Sequence, residues 1–232
     1  MKYYKKNCGQ FPIRVFYTEN EIESCAIELL QKCSLLPTLD KPEVDVDMAL
    51  ESGFKISPSF DDLSKKGVHG AAHFRKNGSF EVVLDGELSS NKNSEKRYRS
   101  TLAHEIGHVV LHRHLFINET LAMYDVTPPD HDVSVLCRDF EDTVKANGKY
   151  NGEWWEWQAN RFMSALLMPK FLITQVCRQI REQNNNLDEQ GIKSFMTKGI
   201  SLCCNVSQEA ARIRLEQLNI GHVNKDQLVL EL

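Results

Sequence analysis

The residues best suited to chemistry are two histidines four positions apart, with a glutamate beside the first, in His104-Glu105-Ile106-Gly107-His108. On a helix, positions i and i+4 lie one turn apart on the same face, so both imidazoles can bind a single Zn²⁺. The adjacent carboxylate can then act as a general base toward water at the metal. This HExxH pattern is the signature of zinc metalloproteases, although two structural histidines on an amphipathic helix produce the same pattern. The interpretation therefore depends on a third metal ligand.

The motif lies in a segment with helical periodicity. A helix is predicted from about Glu95 to His112, and Ser94 precedes it as the N-cap residue. Its apolar positions recur at helical spacing and are Leu102, Ile106, Val109 and Val110. Both histidines and the glutamate are therefore expected on one helix.

One candidate for the third ligand is His114, which stands where the longer metzincin pattern HExxHxxGxxH has its last histidine. Leu111, however, replaces the glycine of that pattern, and a branched residue resists the left-handed backbone angles of the turn. If the helix continued, His114 would lie about 15 Å along the axis from His104. The same reasoning makes His112 a poor ligand. Met123 would have to supply the Met-turn of this alternative.

The other candidate lies on a second predicted helix, which covers residues 154–168 and ends at Pro169, since the residue before a proline avoids helical angles. Glu156 and Asn160 share one face of it. Its apolar stripe is formed by Ala159, Phe162, Met163 and Leu166.

Glu156 is the preferred third ligand. With His104 and His108 it would give three protein ligands and leave a fourth position for water, as in catalytic zinc sites. Asn160 could orient a ligand histidine through its other ring nitrogen. Glu153 is the nearest rival for the ligand role. Mn²⁺ or Fe²⁺ would also accept these donors.

The two helices together resemble the ImmA/IrrE family of metallopeptidases. The resemblance is carried by residues 102–112 (LAHEIGHVVLH), by 156–162 (EWQANRF) and by the LLMP sequence at 166–169. It implies zinc bound by His104, His108 and Glu156, with Glu105 as the catalytic base. It also implies limited cleavage of a helix-turn-helix transcriptional repressor, often encoded on a mobile element or in a stress circuit. Met163 departs from the family, where an alanine is more usual.

Length and composition fit one catalytic core with added helices. The chain has 232 residues and a net charge of -4, which gives no overall electrostatic signal for nucleic acid or an anionic membrane. We expect an α+β fold: a zincin-like metallopeptidase core at 1–169, with a small antiparallel sheet, and a C-terminal helical extension at 170–232. No apolar run predicts a secretory signal or a membrane span. A cytoplasmic protein is therefore expected.

The cysteines agree with a reducing compartment, because seven thiols without a CxxC pair do not suggest a disulfide framework. Cys137 lies between the two predicted metal-binding helices. Its thiolate could cap the metal and hold the enzyme inactive, or it could be a plain buried thiol.

The rest of the chain supplies elements around the site. Thr18 and Glu21 form a capping box that starts a helix. A short helix near 46–51, a strand at 54–56 and a hairpin with an Asn77-Gly78 turn follow. An exposed edge of this sheet beside the metal could pair with a peptide substrate.

The C-terminal part is predicted to be helical at 170–183, from about 188 to 198, and again after the N-cap Ser207. The last two helices resemble a helix-turn-helix. Arg212 and Arg214 there would suit DNA binding, but a packed helical hairpin explains the same pattern. A DNA-binding regulator and a binding protein that does not cleave its partner are therefore the alternative functions.

Overall fold

The structure is a computed structural model that describes residues 1–4, 11, 13–63, 67–75, 77–90, 94–123, 132–138 and 153–220. These residues form an α+β fold. The helices are α1 (Glu19–Lys32), α2 (Val46–Phe54), α3 (Gly86–Ser90), α4 (Glu95–His112), α5 (Asn118–Met123), α6 (Trp154–Leu167), α7 (Lys170–Gln183), α8 (Glu189–Cys203) and α9 (Gln208–Gln217). A 3₁₀ turn (Arg113–Phe116) follows α4. The strands are β1 (Lys2–Tyr4), β2 (Arg14–Phe16), β3 (Ser59–Asp61), β4 (Val68–Phe74), β5 (Phe80–Asp85) and β6 (Val133–Arg138).

The helices begin at polar caps that the sequence predicts well. The Thr18 hydroxyl accepts a hydrogen bond from the Glu21 backbone, and Glu21 accepts one from the Thr18 backbone. The Ser207 hydroxyl caps α9 by accepting a hydrogen bond from the Ala210 backbone N–H. Helix α4 has the predicted bounds, but Ser94 makes no side-chain cap hydrogen bond. Helix α8 continues to Cys203, beyond the predicted end at 198.

The main sheet has the strand order β3-β5-β4-β6. Strand β4 pairs antiparallel with β5 and β6, whereas β3 pairs parallel with β5. The predicted small antiparallel sheet is present in β4, β5 and β6, and β3 adds a parallel pairing that local sequence patterns do not encode. The predicted strand at 54–56 is wrong. Phe54 ends α2, and Lys55 closes that helix with left-handed backbone angles.

The predicted hairpin is present as β4 and β5. The Arg75 N–H donates to the Ser79 carbonyl, and the Gly78 N–H donates to the Arg75 carbonyl. Gly78 has a positive φ of 77°. The loop is therefore longer than the two-residue turn that the Asn77-Gly78 pair predicts.

Helix α4 is the centre of the fold. It is buried along most of its length, with β4 and β5 packed on one side and α6 on another. The apolar cluster around it also includes side chains of α1, α2 and the C-terminal helices, among them Leu30, Leu50, Leu172, Ile200 and Leu215. Among the described residues, no helix combines the length and hydrophobicity needed to cross a bilayer.

Candidate metal centre

The HExxH residues occupy the most buried part of α4. His104 is 3% exposed, and Glu105 and His108 are fully buried. Buried polar side chains lose hydration, so each needs a partner within the protein or in a bound ligand. The partners of these three residues therefore define the site.

Helices α4 and α6 approach closely at Gly107. A Cβ atom at this position would lie 3.2 Å from the Ala159 Cα and carbonyl oxygen, and 3.2 Å from the Phe162 Cβ. The two backbones therefore meet where α4 has no side chain. This close approach brings the Glu156 carboxylate of α6 against the two histidines of α4.

Three donor atoms converge between the helices. The Nε2 atoms of His104 and His108 are 3.0 Å apart, and the Glu156 carboxylate oxygens lie 3.1 Å from the first and 3.3 Å from the second. Donors about 2.05 Å from a tetrahedral zinc would be about 3.3 Å from one another. Within the described part of the chain, no other three His, Cys, Asp or Glu residues converge in this way. The group could therefore bind a metal ion, as the sequence predicts.

Burial and neighbouring groups shift the pKa values of two members of the donor set. Burial opposes ionisation of Glu156, but His108 and His104 outweigh it and hold the pKa of that carboxyl well below its usual value. Burial lowers the pKa of His108, which favours its neutral form. A carboxylate with neutral imidazoles is the form in which these ligands bind metals.

Asn160 orients the first histidine, as predicted. Its Oδ1 lies 3.0 Å from the Nδ1 of His104. An amide oxygen only accepts hydrogen bonds, so this Nδ1 carries the hydrogen and Nε2 keeps its lone pair for a metal.

The second histidine is oriented by a buried relay that sequence reasoning missed. The Gln158 amide donates to the Val15 carbonyl at 2.9 Å, which leaves its Oε1 to accept from the Nε2 of His112, also at 2.9 Å. Neutral His112 then accepts at Nδ1 from the Nδ1–H of His108, 3.0 Å away. The lone pair of His108 therefore remains on Nε2, facing Glu156. Burial lowers the pKa of His112 well below its usual value, which keeps His112 neutral.

Glu105 follows His104 on α4 and lies against Gly70 of β4. Neither of its carboxyl oxygens has a hydrogen-bond partner among the described residues. Burial raises the pKa of Glu105 to about 8, nearby His104 lowers it and Glu156 raises it. A Cβ atom at Gly70 would lie 2.9 Å from the Glu105 Oε1, so the glycine makes room for the carboxyl group. Glu105 is thus buried beside the donor set without being one of its members.

The other predicted candidates lie elsewhere. His114 is in the 3₁₀ turn, where its Nε2 is 3.3 Å from the Tyr3 hydroxyl, so it does not join the donor set. Met123 ends α5 with 81% of its surface exposed. Glu153 precedes α6 and is not part of the converging group. The backbone of Cys137 pairs with Gly70, but its side chain lies outside the described part of the structure.

Comparison with known proteins gives no family assignment. No protein-family model matches the chain, and no curated protein matches it. The resemblance to ImmA/IrrE peptidases therefore rests on the motif residues alone.

Proposed function

We propose that this protein is a zinc-dependent peptidase. The observation that supports this function is the buried His104, His108 and Glu156 donor set, with Glu105 next to the first histidine. Three protein ligands leave a coordination position free, which is typical of catalytic rather than structural zinc sites. A structural site would not require a buried carboxyl group without a hydrogen-bond partner nearby.

Each residue has a separate role in peptide hydrolysis. His104, His108 and Glu156 would hold the ion, and Asn160 and His112 keep the two imidazoles in the correct tautomer. When bound, zinc supplies Lewis acidity that polarises a peptide carbonyl and makes water more acidic. Glu105 takes the proton from the attacking water and returns it to the leaving amine. Its two oxygens are available because no described protein group bonds to them.

The substrate that we propose is a regulatory protein such as a helix-turn-helix repressor. The resemblance to ImmA/IrrE peptidases supports this part of the proposal. The sheet offers a complementary feature, since among the described strands β6 pairs only with β4 and is an edge. Strand β4 also carries Gly70, which contacts Glu105. We propose that an extended peptide substrate adds to the sheet beside β6.

The DNA-binding alternative has less support. Arg212 forms ion pairs with Glu209 and Glu216 on its own helix. Arg214 is buried, pairs with Glu23 and donates a hydrogen bond to the Met168 carbonyl. Both guanidinium groups thus have partners within the protein, and Arg214, whose side chain is 5% exposed, is not presented to a phosphate backbone.

Metal content tests the site first. Wild-type protein loaded with zinc and the variants Glu156→Ala and His114→Ala are compared by mass spectrometry of the metal, after each is confirmed to be folded. We expect one zinc per chain in the wild type and in His114→Ala, and loss in Glu156→Ala. Loss in His114→Ala alone would make His114 the third ligand and contradict the proposed site.

Peptide cleavage tests the reaction. Zinc-loaded wild type and Glu105→Gln are incubated with a peptide library prepared from the proteome of the source cell, and new N-termini are counted by mass spectrometry. We expect cleavage by the wild type only, at equal zinc content, since the amide cannot take the proton. Equal cleavage by both proteins would exclude Glu105 as the base. Absence of cleavage by the zinc-loaded wild type would favour a binding protein that does not cut its partner.

A further inference from the structure

Two adjacent cysteines at the end of α8 hold their sulfur atoms together. Successive residues of a helix point about 100° apart, so neighbouring side chains normally diverge. Here Cys203 is the last helical residue and Cys204 is the C-cap, with φ of -93° and ψ of 0°. The chain then turns at Asn205, which has a positive φ of 52°. As a result, the Sγ atoms of Cys203 and Cys204 lie 3.6 Å apart.

The two thiols differ in exposure and in acidity. Cys204 is fully buried, whereas Cys203 is partly exposed beside Leu202, which is 78% exposed. A hydrogen bond from the Cys204 thiol lowers the pKa of Cys203, and the same bond raises the pKa of Cys204. A reagent that forms bonds with thiolates would therefore meet Cys203 first, with the second sulfur already in contact.

The spacing does not suit a direct disulfide between these residues. Adjacent Cα atoms are about 3.8 Å apart across a trans peptide, whereas disulfides normally join Cα atoms about 4.4 to 6.8 Å apart. The sulfur atoms would also have to close from 3.6 Å to about 2.05 Å. The backbone of the Cys203–Cys204 pair would have to distort to allow this bond.

The spacing does suit one atom bonded to both sulfurs. With two bonds of about 2.3 Å, a sulfur separation of 3.6 Å corresponds to an angle of about 103° at the bridging atom. This is close to the tetrahedral value, so the two sulfur atoms already have the separation that one bridging atom requires. Cys177 on α7 lies close enough to interact electrostatically with Cys203, but burial raises its pKa to about 12. The sulfur atoms that are in contact are those of Cys203 and Cys204, so the bridge involves these two.

We propose that Cys203 and Cys204 form a chelating site for thiophilic species that bind two sulfurs, such as trivalent arsenicals and soft metal ions. With an arsenoso compound, the two S–H bonds and the As=O bond are replaced by two As–S bonds, and one water is released. Arsenic remains trivalent, so no oxidant is needed. Soft thiolate donors distinguish this site from the imidazole and carboxylate donors of the metal centre.

The dithiol site is attached to the helix that carries the metal ligands. Arg99 of α4 donates from Nε to the Asn205 carbonyl at 3.3 Å and from its NH2 group to the Cys204 carbonyl at 3.4 Å. The guanidinium group is buried and also pairs with Glu43. A ligand that repositions the Cys203–Cys204 segment would therefore change the hydrogen bonds of Arg99, five residues before His104.

The probe for this site is phenylarsine oxide added to folded, zinc-loaded wild-type protein. We expect intact-mass spectrometry to show one arsenical per chain, with loss of two alkylatable thiols and no loss of zinc. Peptide mapping should place the adduct on Cys203 and Cys204. Cys203→Ser should weaken binding by about 100-fold or more, because the second sulfur then no longer adds intramolecularly. Hydrogen exchange of α4 near Arg99 should change when the adduct forms.

Matched variants make the result decisive. Cys204→Ala removes the buried sulfur and should have the same effect, while Cys203→Ser tests the site without disturbing a fully buried position. Cys25→Ser alters a thiol of α1 and Cys33→Ser alters the thiol at its C-cap, and both variants should bind like the wild type. Retention of the same adduct in Cys203→Ser would overturn the site, as would its loss in Cys177→Ser alone. Unchanged hydrogen exchange in α4 would overturn the connection through Arg99.

Discussion

At the scale of single residues, the metal centre depends on hydrogen-bond direction as much as on ligand identity. The Val15 carbonyl can only accept a hydrogen bond, which fixes the orientation of the Gln158 amide. That orientation in turn fixes the tautomer of His112 and then the tautomer of His108. His112 is not a member of the converging donor group, in agreement with the prediction from its position in the sequence. Its actual partner, Gln158, lies on another helix, so no local pattern could reveal the relay. Glu156 and Gln158 are two residues apart on α6 and both contact histidines of α4. This shared role can be recognised only from the packing of α6 against α4.

The relay predicts that His112→Leu weakens zinc binding by about 10- to 100-fold, the usual cost of losing a partner that orients a metal ligand. The leucine fills the buried space but leaves the His108 Nδ1–H without an acceptor, so the imidazole loses its fixed tautomer. Competition with a chromogenic zinc chelator measures the affinity. His114→Leu is the matched control, because His114 is a nearby histidine outside the relay. Equal affinities for both variants and the wild type would rule out an orienting role for His112.

At the scale of elements, local sequence signals predict where the helices lie better than they predict which elements pack or pair with one another. The capping residues Thr18 and Ser207 and the apolar periodicity of α4 are local, and the structure places these helices as expected. The pairing of β3 with β5 is not local, and it was missed. The same holds for the site, because the HExxH motif is visible in sequence while its proximity to β4 depends on Gly70. The HExxH motif alone does not predict how α4 packs. That packing depends on close contacts at Gly70 with β4 and at Gly107 with α6.

The contact between β4 and α4 predicts the effect of Gly70→Ala. The added Cβ would lie 2.7 Å from the Thr101 Cγ2 and 2.9 Å from the Glu105 Oε1, so the carboxyl group must move. A displacement of about 1 Å in a catalytic group can reduce the rate by about 100-fold. We expect kcat for peptide cleavage to fall by about 10- to 100-fold with one zinc still bound.

Gly86→Ala is the control for this change, since its new Cβ would be 3.8 Å from the nearest atom, the Asp61 carbonyl oxygen. It should retain the wild-type rate. A wild-type kcat in Gly70→Ala would show that the position of Glu105 does not depend on the space that Gly70 leaves.

The contact between α4 and α6 predicts that Gly107→Ala weakens zinc binding, whereas Gly70→Ala is expected to lower kcat with zinc still bound. A Cβ at 3.2 Å from the Ala159 backbone separates the helices by a few tenths of an ångström and draws Glu156 away from the histidines. The gain of about 1 kcal/mol in helix propensity offsets part of the packing cost of about 1 to 3 kcal/mol. Stability should therefore change little, while zinc affinity falls by about 10-fold or more.

Gly199→Ala provides the comparison for this variant, because its Cβ would meet the Ile180 side chain at 2.7 Å, far along the chain from the metal ligands. Its zinc affinity should equal that of the wild type whatever its stability. If Gly107→Ala also bound zinc normally, close helix approach would not be a requirement of the site.

At the scale of the whole molecule, the C-terminal helices share a core with α4 and α6, which carry the candidate metal ligands. Ile173, Met196 and Leu215 belong to the same apolar cluster as Leu102 and Phe162. A buried polar contact also crosses this arrangement. Arg214 of α9 pairs with Glu23 of α1 at 2.5 Å and donates to the Met168 carbonyl at the end of α6 at 2.9 Å. The first helix, the glutamate-bearing helix and the last helix are thus joined at one buried guanidinium group.

This junction predicts that Arg214 and Arg212 respond differently to the same substitution. Arg214→Met leaves Glu23 poorly paired at a site where the arginine side chain is 5% exposed, and breaking such a buried pair costs about 3 to 5 kcal/mol. Arg212 is 42% exposed on the same helix, and Arg212→Met should change stability by less than about 1 kcal/mol. Urea unfolding of the zinc-loaded proteins measures both values. A large loss of unfolding free energy in Arg212→Met, or no loss in Arg214→Met, would contradict the assignment of Arg212 to the surface and Arg214 to the buried junction. The expected pattern would instead place Arg214 among the residues that hold the C-terminal helices onto α1 and α6, which leaves it unavailable for contact with nucleic acid.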